Sequence, residues 1–406
     1  MRPLGRCFTS AGYYPLNEVI QHEPSTDVVV TTVASQVAPT HYSASPEYNG
    51  MVLSLLRQSA RGGDADSQSK LGAMYACGDG VPRNYSVALA LLRRAADQRH
   101  PLALYNLGVI YSRGYGGDLN AEVAFNCYSK AAELGNLDAV NNLGVCYQNG
   151  FGCVRSLEMA FDRFREAAER GHGIAMSNCG YMKELGLGTE LDELEALRFY
   201  RNAAGRGCVE AAYNLGRLHI FTTTFYNDFA LGRESLLKAG KMGSGDAYNL
   251  LGCIEYKGFK VSRNYEQARL YFGFAERLGN AAAVNNLAWL YQHGYGVQMD
   301  LGKAVHYYTK SAGLGYSSAQ CNLGYLYFHG LGVEKDLAQA MELFRRAVEA
   351  DNMTAMFNLA LLLLDPDCKC RDVARAVFLL KKCALAGLNE AHDLLEEVHS
   401  EEARRA

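Results

Sequence analysis

The sequence holds no apolar run approaching the roughly 20 residues that a membrane-spanning helix needs, and its start lacks the apolar stretch of a secretory signal. These absences predict a soluble chain with no direct membrane insertion. An excess of charge is missing too, because 40 Lys and Arg stand against 43 Asp and Glu for a formal charge of −3. That balance gives neither the basic footprint of a nucleic-acid binder nor an acidic tail, so no nucleic-acid partner is expected. A shared register of cysteines is also lacking. Cys77, Cys127, Cys146, Cys153, Cys179, Cys208, Cys253, Cys321 and Cys383 fall at differing places in the pattern described below, and most replace small core residues. Reduced thiols in a cytosolic or matrix-like compartment fit this scatter better than disulfides. Cys368 and Cys370 form the only tight pair, with no second pair or nearby His at ligand spacing, so no metal and no cofactor are expected.

What the chain does have is a period. Leucine recurs at Leu71, Leu107, Leu143, Leu215, Leu251, Leu287, Leu323, Leu359 and Leu395, and Cys179 fills the one gap, so that every step is 36 residues. A small residue follows each of these anchors (Gly72, Gly108 and Gly144 first, later Ala288 and Ala360), and an Ala stands four places before it, as at Ala103, Ala139 and Ala175. Ala, anchor and a Tyr four places on (Tyr75, Tyr111, Tyr147, Tyr291, Tyr327) share one helical face.

A second helix is predicted to open thirteen residues after each anchor, at Asn84, Asn120, Ser156, Asp192, Asp228, Asn264, Asp300, Asp336 and Asp372. All are residue types whose side-chain oxygen accepts an otherwise unpaired N–H at a helix start. Behind each cap come a small residue and then a bulky one, for example Ala124 and Tyr128, or Ala160 and Phe164. Between the two helices lies a glycine pair, at Gly78/Gly80, Gly114/Gly116, Gly150/Gly152, Gly186/Gly188, Gly294/Gly296 and Gly330/Gly332. A phosphate-binding G-x-G needs a strand before it, and here a helix precedes, so the pair reads as a joint.

These residues resemble the Sel-1-like repeat family, a relative of the tetratricopeptide repeats. Nine units match over residues 64–387. The resemblance implies an all-α fold, an α-solenoid wound as a right-handed superhelix of helix-turn-helix repeats, and a length that would otherwise suggest two or three domains becomes one elongated array. Residues 45–63 match a second helix alone, with Val52, Leu56 and Ala60 in its small, bulky and small positions, and are expected to cap the array. Residues 388–406 are expected to form the opposite capping helix and a tail, with Glu396 where glycine belongs. Residues 1–44 show no repeat and are expected to be a disordered tail, with a short strand at Val28–Val33. Arg2 and Arg6 without a nearby acid leave a mitochondrial presequence as an alternative to a cytoplasmic location. Three joints depart from the pattern: FTTTFY at 221–226, Lys260 in place of the second glycine, and DPDCKC at 365–370, where Pro366 should stop the helix.

No nucleophile and base can be paired from this sequence, and His293 and His329, at one repeat position, read as a solvent-facing pair, so no catalytic residues are expected. Function is sought on the concave face of the first helices. One place before the anchor runs a row of amides, Asn106, Asn142, Asn178, Asn214, Asn286, Asn322 and Asn358. In the related tetratricopeptide fold an Asn here binds an extended peptide, while the same amides could instead bond neighbouring helices and lock the stack. Two places after the anchor stand Tyr181, Arg217, Trp289 and Tyr325, and Tyr256 and Phe328 follow five places after theirs. Aromatics beside amides suit an interface. The resemblance implies a non-catalytic adaptor or scaffold for one or more proteins or extended peptide segments. The alternatives are a mitochondrial assembly factor with a cleaved presequence and a β-lactam-binding hydrolase-like repeat protein.

Overall fold

The computed structural model describes residues 46–117, 119–222, 227–366 and 368–405, with side chains from residue 50 to residue 400. The tail expected at 1–44, its Val28–Val33 strand and the presequence reading lie outside the described residues. Among the described residues there are twenty helices and no strand. A leading helix spans Pro46–Arg61 and a trailing one Asn389–Arg405. Between them lie nine pairs: Ala65–Cys77 with Tyr85–Asp97, Pro101–Arg113 with Ala121–Glu133, Leu137–Asn149 with Leu157–Glu169, Gly173–Leu185 with Glu193–Gly205, and Val209–Phe221 with Phe229–Lys241. The series continues with Gly245–Lys257 and Tyr265–Arg277, Ala281–His293 and Leu301–Gly313, Ser317–His329 and Leu337–Glu349, and Met353–Leu364 with Val373–Leu385. These are repeats 1 to 9.

Each second helix starts where the caps predict. The side chains of Asn84, Asn120, Ser156, Asp192, Asp228, Asn264, Asp300, Asp336 and Asp372 all accept a backbone N–H from the first turn they precede. The backbone N–H of each cap also reaches back to the first helix, as Asn84 to the Tyr75 carbonyl at 2.8 Å and Asp300 to that of Tyr291 at 2.9 Å. The three irregular joints keep this closure, with Asp228 on His219 at 3.0 Å, Asn264 on Glu255 at 2.9 Å and Asp372 on Leu363 at 3.1 Å. The loop sequence therefore varies while its ends stay tied. In the third repeat Gly150 and Gly152 have φ of +69° and +70°. A Cβ on Gly152 would lie 2.1 Å from the Ala121 carbonyl oxygen, so the second glycine is needed for the approach of the preceding repeat as well as for its own backbone.

Lys260 takes that second position with φ of +57°, a conformation uncommon for a residue with a side chain. Its Nζ donates to Asn227 Oδ1 at 2.6 Å and to the Ile220 carbonyl at 3.2 Å, and Asn227 Nδ2 donates to the Ile220 and Thr222 carbonyls. The departure at 260 thus anchors the described ends of the irregular joint at 221–226. In the ninth repeat the first helix ends at Leu364, one residue earlier in register than its counterparts, as Pro366 requires.

Packing follows the small-against-large pattern. Ala88, Ala124, Ala160, Ala196, Ala268, Ala304, Ala340 and Ala376 have no exposed surface, and Phe164, Tyr200, Tyr308 and Phe344 beside them are equally enclosed. Each bulky ring lies on the small residue of its own first helix; a Cβ added to Gly144 would stand 2.6 Å from Phe164. The described residues group into two compact units that divide between Leu218 and His219, inside the first helix of repeat 5. The division falls in the repeat whose joint lost its glycines. Within each unit first helices of consecutive repeats pack on one another, as Ala65–Cys77 with Pro101–Arg113 and Ser317–His329 with Met353–Leu364, more closely than second helices do. The first helices therefore line the inside of each unit.

Candidate functional site

The first-helix face is built from three side-chain positions, and the structure assigns them different work. The amides one place before the anchor lie mostly inside the stack: Asn106, Asn142, Asn286, Asn322 and Asn358 are buried, while Asn178 and Asn214 are half-buried. Four of them bond across repeats. Asn178 Nδ2 donates to Asn141 Oδ1 at 2.9 Å, Asn286 Nδ2 to Asn249 Oδ1 at 3.0 Å, and Asn322 Nδ2 to Asn285 Oδ1 at 3.1 Å. Asn358 Nδ2 points to Cys321 Sγ at 3.5 Å, so sulfur substitutes where the acceptor Asn is missing. An unmade bond at such depth would cost the desolvation of an amide, which makes each pair a register lock between neighbouring helices. Sequence spacing found the donors. The acceptors, two places before the preceding anchor, form a second row (Asn141, Asn249, Asn285) legible in the same alignment.

Positions two and five after the anchor also meet across repeats. In the N-terminal unit Arg217 donates to Glu184 at 2.5 Å, with 13% and 9% of the two side chains exposed. Burial pulls the Arg217 guanidinium pKa down, but the Glu184 carboxylate beside it outweighs this and leaves it raised. Glu184 also accepts from Tyr200 Oη at 2.9 Å. In the C-terminal unit the same two positions hold Trp289, whose Nε1 donates to Tyr256 Oη at 2.9 Å.

Trp289 belongs to a continuous ring surface. Its indole lies 3.9 Å from the His293 imidazole, His293 stacks on Tyr295 at 5.6 Å, and Tyr295 stacks on Tyr265 at 4.9 Å with planes 16° apart. Trp289, Tyr256, Tyr265 and Tyr295 are half-buried and His293 is exposed. In the next repeat Tyr325 is half-buried, lies 4.5 Å from the His329 ring, and is joined by the largely buried Phe328 with Lys335 over its face at 5.9 Å. His329 departs from the expected solvent-facing pair. It is half-buried, its Nε2 has no hydrogen-bond partner, and burial followed by the nearby Lys335 charge lowers its pKa. Tyr265 and Tyr295 were not singled out from the sequence, yet the signal exists: Tyr85 and Tyr115 have the same 30-residue spacing and stack at 5.2 Å.

Eleven cysteines in the described region are free. Burial raises the thiols of Cys146, Cys179 and Cys253 to about 12, which keeps them protonated and poor nucleophiles at neutral pH. Among the described residues no group of three or more His, Cys, Asp or Glu could hold a metal ion, and no helix is long and apolar enough to cross a membrane.

Helix pairs stacked through their first helices, with amide locks between repeats and aromatic side chains on the inner face, define an α-solenoid. The chain belongs to the Sel1 repeat family, which matches residues 65–100, 101–136, 137–172, 173–208, 245–280, 281–316, 317–352 and 354–388. Residues 209–244, which that match omits, still form a helix pair. A protective antigen of uropathogenic Escherichia coli with the same repeat fold is 31% identical, with 84% of this chain and 73% of that one covered at a TM-score of 0.54. A Sel1 repeat protein of Oxalobacter formigenes is 25% identical, with 76% and 90% covered at 0.58. No curated protein matches by sequence. Sel1 repeats generally mediate protein–protein interactions and are generally non-catalytic.

Proposed function

We propose that the protein is a non-catalytic adaptor that holds an extended segment of a partner protein along the first helices of its C-terminal unit, around Trp289 and Tyr325. The observation that carries this is the chain of ring contacts from Tyr265 through Tyr295 and His293 to Trp289, which leaves part of a large amphipathic surface open on the inner face. Trp and Tyr in such settings supply much contact area at little loss of side-chain freedom. The polar role first expected of Asn286, Asn322 and Asn358 passes to stack locking, because buried amides that bond to neighbours offer little to a ligand. Asn178 and Asn214, being half-buried, keep a polar edge available near Arg217 in the N-terminal unit. The cysteines' scatter out of the repeat register supports a reducing compartment, here proposed as the cytoplasm.

A photo-crosslinking amino acid at the exposed position of His293 tests the reading, with one at the exposed Leu385 as control. The expected result is a defined partner crosslinked from position 293 and not from 385, lost when Trp289→Ala and Tyr325→Ala are combined in a chain that keeps its helical circular dichroism. Equal capture with and without the two rings would move the binding surface elsewhere.

A further inference from the structure

The residue just before the second-helix cap is basic in five repeats, at Arg83, Arg155, Arg263, Lys335 and Arg371. The partial positive charge of a helix start disfavours a cation there, so other contacts must account for it. Arg83 and Arg155 donate to the Cys77 and Gln148 carbonyls near the ends of their own first helices, at 3.1 and 3.0 Å. Arg263 and Lys335, both in the C-terminal unit, make no such bond among the described residues. Arg263 instead donates to Tyr265 Oη at 3.2 Å and lies 5.9 Å over that ring, and Lys335 lies 5.9 Å over Phe328. Both are exposed, and among the described residues no carboxylate pairs with either. They border the ring surface described above. Tyr265 leads through Tyr295 and His293 to Trp289, and Phe328 adjoins His329, which lies against Tyr325. Acid is missing from the same face. The first helices of repeats 7, 8 and 9 contain no Asp or Glu. In repeat 6, Asp246 accepts from Asn280 at 2.7 Å and the buried Glu255 from Arg233 at 2.6 Å, so both carboxylates are committed.

We propose that the segment held on this face is acidic: an extended stretch with Asp or Glu at two places and an apolar or aromatic side chain between them. The inference rests on the adaptor reading above and gives its partner a chemistry. Arg263 and Lys335 belong to repeats 6 and 8, about 16–20 Å apart at the usual spacing of packed helices. About five or six residues of extended chain span that distance. Trp289, in the repeat between them, is placed to receive the apolar side chain. Charge complementarity of this kind sets partner choice and encounter rate, while the rings supply contact area. Single-stranded nucleic acid also uses rings and cations, but it calls for a basic groove that tracks its backbone. Two uncommitted cations set two repeats apart, in a chain of formal charge −3, do not make such a groove.

A phage-displayed library of random peptides tests this, selected on the full chain and depleted on a Trp289→Ala, Tyr325→Ala variant that keeps its helical circular dichroism. Peptides enriched in Asp and Glu around an apolar residue are expected. Binding of the leading peptide, synthesised with a fluorescein label and read by fluorescence anisotropy, should weaken about tenfold when Arg263→Glu and Lys335→Glu are combined. It should also weaken as salt rises, and stay unchanged with Lys381→Glu, an exposed charge on a second helix. Ring-dependent peptides that are neutral or basic overturn the acidic assignment and leave the adaptor reading standing, as do acidic peptides indifferent to the double reversal. If no selected peptide depends on the two rings, the adaptor reading fails and the inference with it. Displacement of the labelled peptide by oligothymidylate at a lower concentration than by the unlabelled peptide assigns the face to single-stranded nucleic acid, which also overturns the proposal.

Discussion

Tyr308 shows how the repeat satisfies polar atoms that its small-against-large packing would otherwise strand. Its ring is fully enclosed, and its hydroxyl donates to Gln292 Oε1 at 2.8 Å, sixteen residues back on its own first helix. Tyr200 does the same to Glu184, and Tyr128 lies 3.2 Å from Ser112. Where the bulky residue is Leu92, Leu236 or Leu380, the partner position holds the apolar Ala76, Ile220 or Leu364. Tyr308→Phe should therefore cost about 1 kcal/mol, because it removes the hydrogen bond to the half-buried amide of Gln292. Tyr308→Phe with Gln292→Leu should recover most of the loss, and urea melts of the single and double variants give the comparison. His329 makes a pH-dependent contribution of known sign. Burial and Lys335 depress its folded pKa below the ordinary 6.5. The unfolded chain then binds the proton first, so stability is full above about pH 6.5 and declines as pH falls through that value toward the lower folded one. His329→Leu, which copies Leu185 at the same repeat position, should flatten the decline in melting temperature between pH 7 and pH 5.

The helix starts explain what the sequence makes legible and what it hides. The caps of the second helices could be read directly, because Asn, Ser and Asp recur at one position and each has an obvious acceptor oxygen. The caps of the first helices were overlooked because two of them are histidines. His100 and His172 accept the N–H of Ala103 and Ala175 through Nδ1, at 3.2 and 3.0 Å, and present Nε2 to Asp66 and Asp138 of the preceding repeat at 2.8 and 3.1 Å. Asn280 repeats the arrangement with Ala283 and Asp246. A residue that accepts from its own helix and donates to the neighbouring repeat both starts a helix and fixes its stacking, and only the spacing of 34 residues between Asp and cap betrays it. The same limit governed the amide row: position was legible from the period, but burial depends on which helix lies opposite, and that is a property of the stack. His172→Asn should be close to neutral, since Asn280 performs both bonds, while His172→Ala should lose about 1 kcal/mol. Thermal melts of the two variants separate a capping role from mere occupancy.

At the scale of the whole molecule, the period of 36 residues could be read without coordinates, but the division of the array could not. Periodicity reports that neighbouring units are alike, and the first helix of repeat 5 keeps Ala211, Leu215 and Gly216 as its neighbours do. The boundary between the two compact units falls inside the continuous helix Val209–Phe221, next to the joint that lacks glycines, and each repeat of a solenoid is stabilised chiefly by those beside it. This makes the range of a core defect measurable. Leu143 is 5% exposed and packs with Val109, Tyr128 and Cys146, all within the N-terminal unit. Leu143→Ala should remove about 2–5 kcal/mol, the usual range for a buried leucine whose surroundings relax only in part. Nearest-neighbour coupling confines the loss: amide exchange should accelerate through Pro101–Arg113 and Leu157–Glu169 and remain unchanged in Ser317–His329, on the far side of the division. Uniform acceleration across both units would mean that the chain unfolds as one cooperative body. Confinement to the first unit would mean that a partner bound along the C-terminal rings stays held while the N-terminal repeats open and close.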